Sequence, residues 1–325
     1  AIVGTVSGTS ISFGSATLFG DAGTYGDTGI SAAYDANAQK IVIVFGDVDN
    51  SQYGTARVGT ISGTSISFGT ATVFESSTTS YTSTTYDANA QKIVIGFRDG
   101  DTYYGTAIVG TVSGTSISFG TAVVFESATV ILYNTAATYD SNSQKVVIAY
   151  RDDGNSNYGT AVVGTVSGTS ISFGTPVVFE SAMSTHTSAV YDASAQKVVI
   201  AYRDNGNSNY GTAIVGTVSG TSISFGSAVV FESASSSYHS AVYDSNAQKV
   251  VIAYRDDGNS DYGTVIVGTV SGTSISFGTP VVFESASALY QTAAYDANTK
   301  KVVAAYRDDG NSKHGTAVVI TPTSS

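Results

Sequence analysis

Short apolar runs separated by polar, glycine-bearing segments recur along the whole chain, and no run keeps a helical period. One stretch shows the pattern: "SAVYD" (240–244), "KVVIAY" (249–254), "YGTVIVGTV" (262–270) and "SISFGTPVVF" (274–283). Each has strand length and strand composition, with β-branched and aromatic residues dominant. They are called strands A, B, C and D below. The segments between them are "SNAQ", "RDDGNSD" and "SGT", residues that tolerate tight-turn backbones. Successive strands are therefore expected to be antiparallel hairpin partners. Strand B alternates little, as a strand does when both faces of its sheet are covered.

The pattern repeats. Aligned on "YD", the chain gives Asp35, Asp87, Asp140, Asp192, Asp244 and Asp296, spaced 52, 53, 52, 52 and 52 residues apart. One small four-stranded sheet cannot bury two apolar faces by itself. Six sheets arranged radially can, each covered by its neighbours, and a unit of about 50 residues is typical of a propeller blade. The expected fold is all-β: a six-bladed β-propeller with four antiparallel strands per blade. Residues 1–325 then form a single domain, with a closing blade built from about 1–22 plus 288–320 and a tail at 321–325. The N- and C-terminal strands would share that blade. One strand is in excess, because "AIVGTV" (1–6) and "GTAVVI" (315–320) both have the character of strand C. The chain also opens in mid-repeat without an initiator Met, which reads as a piece of a longer or processed polypeptide.

Composition narrows the functional classes. Asp plus Glu number 25 against 14 Lys plus Arg, a formal net charge of -11. Nucleic-acid binding draws on cationic contacts to phosphate, so a chain this acidic is a poor candidate for it, and for an anionic membrane surface. No apolar run approaches the roughly 20 residues of a spanning helix. The absence of cysteine removes disulfides and thiolate metal sites.

The strand order puts the D-to-A and B-to-C connections at one end of the propeller and the other two turns at the opposite end. The opposite end is nearly constant. The D-to-A segment differs in every copy, as in "FESSTTSYTS" (74–83), "FESAMSTHTS" (179–188) and "FESASSSYHS" (231–240). Variation confined to one set of loops on a rigid scaffold points to a binding surface. Each segment carries a ring shortly before strand A: Tyr25, Tyr81, Tyr133, His186, Tyr238 and Tyr290, with His239 beside Tyr238. Tyrosine offers an apolar face and a hydroxyl, the pair of features a sugar ring or a polar partner needs. Packing over the channel mouth is the alternative role for these rings.

At the same end, "YRDDGNSNYGT" (150–160) and its relatives offer several oxygens, yet they lack the order and closing glutamate of an EF-hand loop. They are read as B-to-C turns, with no metal and no cofactor expected. The motif's arginines are Arg98, Arg151, Arg203, Arg255 and Arg307, and "FES" supplies Glu75, Glu126, Glu180, Glu232 and Glu284. The first copy has Gly46 and Gly20 at these two places, so Arg–Glu ion pairs are expected. An arginine cluster gripping a carboxylate is the functional alternative. No catalytic residue is assigned: His186, His239 and His314 form no metal or triad spacing, and no helix opens on a phosphate-binding loop.

The units "VGTVSGTSISFGT" and "YDSNAQKVVIAYRDDGNSNYGTA" resemble the near-identical repeats of structural tail or appendage proteins of marine cyanophages and related marine viruses. They are more loosely similar to sialidase-type propeller repeats. The resemblance spans the whole chain and implies a virion or extracellular-surface setting, with a glycan, a host-surface protein or other virion subunits as partners. The chain has no Trp, so a complete sialidase-type "S-x-D-x-G-x-x-W" box is absent. The leading expectation is a non-enzymatic recognition module, with a structural spacer second and a glycosidase-like enzyme third. If the "RDDGNSN" segments are turns, EDTA should leave the thermal midpoint unchanged, whereas a drop of several degrees would identify them as ion sites.

Overall fold

The computed structural model describes residues 1–20, 29–130 and 136–321. It is a β-propeller whose regular elements, among the described residues, are strands and short 3-10 turns. In blade five, strand B is Lys249–Asp256, strand C is Tyr262–Ser271, and strand D begins at Ser274–Phe277. The hairpins are antiparallel as expected, with Val250 opposite Gly268 and Gly268 opposite Phe277. The A segments at 31–35, 79–87, 136–140, 184–192, 236–244 and 288–296 pack side by side in that order around the centre.

One expectation changes here. The D-to-A connections are not loops in blades where they are described throughout. Thr72–Asp87, Val177–Asp192, Val229–Asp244 and Val281–Asp296 are each continuous 16-residue strands. Each is the outer edge of one blade at its start and the innermost strand of the next blade at its end. Serine and threonine in these segments read as loop by polarity, but threonine is β-branched and fits an extended strand.

The lack of alternation in strand B follows from a division of labour between its faces. Val198, Ile200 and Tyr202 point toward blade three, and Val199 and Ala201 point toward blade five. The large set of one blade therefore meets the small set of its neighbour. Val147, Ala149, Ala161 and Val163 receive Val198, Ile200, Tyr202 and Ile214, nearly all of them fully buried. The same cluster forms at each of the five junctions from blade one to blade six. A fully buried Val or Ile contributes about 1.5–3 kcal/mol, so the junctions dominate the stability. The glycine of "YGT" belongs to the same packing: a Cβ on Gly211 would lie 2.5 Å from the Phe231 ring.

Polar closure of each junction corrects the expected Arg–Glu pairs. Neighbouring residues on a strand point to opposite faces, so in "YRD" the tyrosine enters the junction and the arginine leaves it. The buried Tyr150, Tyr202, Tyr254 and Tyr306 donate to Glu126, Glu180, Glu232 and Glu284 across the junction at 2.9–3.1 Å. The other oxygen of each glutamate accepts the amide two residues on, as from Ala182 at 3.1 Å. In the first copy Phe45 has no hydroxyl and Gly20 no carboxylate, so it is the tyrosine hydroxyl that is lost together with the acid. Copy two keeps Glu75 opposite Phe97. Burial, then the nearby Asp99, pushes that carboxyl upward.

The "RDDGNSN" segments are turns, as read from the sequence, and the structure shows that aspartate caps them. Asp204 accepts the amides of Gly206 and Asn207 at 3.0 Å, and Asp152 accepts that of Asn155 at 3.1 Å. At the opposite end, Asp192 accepts the amides of Ser194 and Ala195 at 2.9 Å.

The termini meet without sharing a hydrogen-bonded ladder. His314–Ile320 is strand C of blade six, paired with Lys301–Asp308. Gly4–Ser7 and Ser10–Phe13 form a separate hairpin, and Ser10–Phe13 lies beside His314–Ile320. The far face of blade six, Val303, Ala305, Ala317 and Val319, is consequently only half-buried.

Burial, followed by the adjacent glutamate, holds the hydroxyls of Tyr150, Tyr202, Tyr254 and Tyr306 far above the ordinary tyrosine range. The unfolded chain would release these protons near pH 10 and the folded chain would keep them. Stability is then complete below about pH 10 and falls as pH rises beyond it. A phenolate absorbance titration should show these tyrosines ionising only with unfolding; their ionisation near pH 10 in a folded protein would refute the buried junction bond.

Candidate functional site

The variable rings sit in a β-bulge. In blade five Ser237 pairs with Arg255 and Ser240 with Ala253, so Tyr238 and His239 together oppose Tyr254. Equivalent bulges hold Tyr81 with Thr82, His186 with Thr187, and Tyr290 with Gln291. The first bulge residue has a left-handed backbone: φ is 55° at Tyr81, 51° at His186, 53° at Tyr238 and 55° at Tyr290. Glycine normally takes such a place, and an aromatic there is strained by about 1–3 kcal/mol. The bulge sends its two side chains to opposite sides. Tyr290 is 54% exposed, and Tyr81, His186 and Tyr238 are half-buried, while Thr82, Thr187, His239 and Gln291 are buried.

His239 is thus corrected from a candidate ligand contact to a core residue. Its Nδ1 donates to the His186 carbonyl at 3.1 Å, and Nε2 accepts from Ser236 Oγ at 2.9 Å. The ring meets Phe231 edge-on at 5.4 Å. Burial pushes its pKa down to about 3, and burial followed by Arg203 takes His186 to about 4. Both are neutral at pH 7. Tyr25 and Tyr133 lie outside the described residues.

The outward rings form an arc across blades four to six. His186 meets Tyr238 with ring centres 5.0 Å apart, and Tyr238 meets Tyr290 at 5.1 Å, both edge to face. The arginines of strand B lie beside them. Arg255 and Arg307 stand 5.2 and 5.3 Å from the centres of Tyr238 and Tyr290, and Arg98 stands 5.8 Å from Tyr81 and 4.7 Å from Tyr103. These are cation–π distances. The arginines pair with aspartate, not with glutamate: Arg151 with Asp153 at 2.8 Å, Arg255 with Asp257 at 2.7 Å, Arg307 with Asp309 at 2.8 Å. Arg203 reaches across the junction to Asp257 at 3.7 Å. Asp257 also accepts from Ser235 and Ser237, and with Arg255 these bonds hold its carboxyl below the usual range against the cost of burial. The sequence did not reveal these serines and aspartates as the supports of the arginines. The i to i+2 spacing in "RDD" on one strand face was the available signal.

The end of the propeller therefore presents aromatic rims, guanidinium donors and a carboxylate network on rigid strands. No protein-family model matches the sequence, and no curated protein matches it either. Solved structures do match by fold. A triple arginine-to-alanine variant of AofleA from Arthrobotrys oligospora aligns over 92% of this chain and 86% of its own, with 10% identity and a TM-score of 0.57. The BP39L lectin from Burkholderia pseudomallei aligns over 91% and 85%, with 10% identity and a TM-score of 0.58. Trypanosoma rangeli sialidase aligns over 89% of this chain and 54% of its own, with 12% identity and a TM-score of 0.49. At such identities the likeness is one of fold. The virion setting implied by the repeat sequences finds no support in these comparisons.

Because the bulge residue is left-handed, Tyr290→Gly should be more stable than Tyr290→Ala by about 1 kcal/mol, the usual penalty for a Cβ in that region. Urea unfolding of the two variants measures the difference; an alanine variant equal to or better than the glycine variant would contradict the bulge geometry.

Proposed function

We propose that the chain is a non-enzymatic carbohydrate-binding module that holds its ligand on the bulged end of the propeller. The observation carrying this reading is the arc His186, Tyr238 and Tyr290, strained into a left-handed backbone and flanked by arginine. Strain of this kind clusters at ligand-binding sites, where a side chain has to be presented, and persists because the surrounding structure holds it. A tyrosine face can stack on the C–H groups of a sugar ring while guanidinium groups donate to its hydroxyls. Nε of Arg255 is committed to Asp257, which orients the rest of that guanidinium. A lectin, BP39L, is among the structures that share the fold, and the AofleA variant carries three changed arginines set 53 residues apart, close to the spacing of Arg98, Arg151 and Arg203.

The glycosidase-like alternative is disfavoured by how the repeated glutamates are used. Glu126, Glu180, Glu232 and Glu284 each accept a tyrosine hydroxyl and a backbone amide. An acid committed in this way is poorly placed to serve as one of a catalytic pair. A surface-exposed setting for the parent molecule is part of the same proposal, because glycans are met there.

A glycan array probed with the wild type and with the triple variant Tyr81→Gly, Tyr238→Gly and Tyr290→Gly tests the site. Each lost ring should weaken binding by about 1–2 kcal/mol, while Thr221→Ala in the opposite-end turn leaves it unchanged. Absence of any bound glycan, or equal binding by the triple variant, would overturn the proposal.

A further inference from the structure

Blades one to five each carry a strand D against the outer edge of strand C, and among the described residues nothing pairs with that edge of His314–Ile320. Beside it lies a groove of about 470 Å³ lined by Val265, Val267, Val281, Phe283, Val318 and Ile320. The complete junctions show what such a groove takes. In blade four, Ile223 of Ser222–Phe225 is 3% exposed against blade three, and Phe225 packs on Phe179 with ring centres 5.8 Å apart. In blade five, Ile275 and Phe277 serve blade four in the same way. Phe283 is the next phenylalanine in this series, and it meets Tyr306 alone among the described rings.

The chain contains the missing side chains. Residues 10–19, "SISFGSATLF", have the sequence of a strand D. Phe13 is 50% exposed, and Ile2 of the partner strand is 49% exposed although its equivalents Ile214 and Ile266 are buried. The same segment is already seated on blade one as a last strand D should be. Phe19 packs on Phe45 and Phe68 at 5.3 and 6.1 Å, as Phe231 packs on Tyr254 and Phe277. What differs is its strand C partner, which is Gly4–Ser7 in place of His314–Ile320. A further sign of the open sector is Tyr34, 55% exposed, whereas Tyr86, Tyr139 and Tyr243 accept an amide from the preceding blade at 3.2–3.3 Å.

We propose that the outer edge of His314–Ile320 and its groove form a strand-acceptor site whose occupant is residues 10–19 of the same chain. Residues 1–7 and 314–320 compete for strand D. When 314–320 wins, Ile11 and Phe13 enter the groove, the ring closes, and residues 1–7 are displaced. Addition of an extended segment to an open sheet edge, with alternate side chains in pockets, is an established mode of recognition. Occupancy by the same chain is favoured over a second copy because Ser10–Phe13 already lies beside the acceptor strand, which makes the effective concentration high.

The register of the complete blades pairs Val265 with Val281, and places Ala317 opposite Thr17 in the closed form. The chain has no cysteine of its own, so Thr17→Cys with Ala317→Cys reports closure directly. Under mild oxidation the full-length variant should form an intramolecular disulfide, seen as a faster-migrating monomer on a non-reducing gel. Thiols that stay reduced, or disulfides that form only between molecules, would overturn the proposal, the latter in favour of a second copy. A variant lacking residues 1–7 supplies a measurement without substitutions in the groove. It should remain monomeric and melt at a higher temperature than the wild type; a lower melting temperature would mean that residues 1–7 hold the native ring together, and would also overturn the proposal.

Discussion

Everything in this molecule depends on strand B being apolar on both faces while belonging to a sheet too small to cover either. Its face of Val198, Ile200 and Tyr202 and its face of Val199 and Ala201 are different in size, so neighbouring blades fit one another only in one orientation. Interiors are close-packed, and such a size match decides whether a junction is filled or leaves voids. The near-identity of the repeats follows: a change on one face has to suit the small face of the preceding blade, and that face is similar at every junction. The tyrosine hydroxyl that completes the junction needs an acceptor, and Glu180 or its equivalent supplies one from the preceding sheet.

With faces and turns so constrained, variation is greatest along the D-to-A segment. The bulge is the device that makes those positions useful. It breaks the alternation of the strand, so that one residue of a consecutive pair faces solvent and the other faces the core. Tyr238 and His239 show the division, the first in the arc of rings and the second buried against Phe231. Strain at the exposed residue is held by the packed strands around it, and the serine–aspartate–arginine bonds beneath keep the surface in one arrangement.

Much of the fold could be read from the sequence because the repeat states it six times. The "YD" spacing, the "SGT" and "RDDGNSN" turns and the apolar "VVIA" run led to antiparallel four-stranded blades. The Arg–Glu pairing failed for a reason visible in retrospect: Tyr150 and Arg151 are consecutive on a strand, so only one of them can enter the junction, and Phe45 accompanies Gly20 as Gly46 does. The bulge was not legible, since it depends on the register between strands A and B, and sequence alone does not show that two residues oppose one. His239 was misplaced for the same cause. The choice between residues 1–6 and 315–320 as the closing strand C is a competition between two similar sequences, which composition cannot resolve.

The central claim is that blade-to-blade burial, not the individual blade, carries the stability. A fragment spanning residues 236–284 contains strands A to D of blade five and both of its apolar faces, now uncovered. Nuclear magnetic resonance of this fragment should show poorly dispersed amide signals and no cooperative thermal transition, because an isolated repeat of this kind cannot bury its core. A monomeric fragment with well-dispersed signals and a cooperative melt would contradict the account.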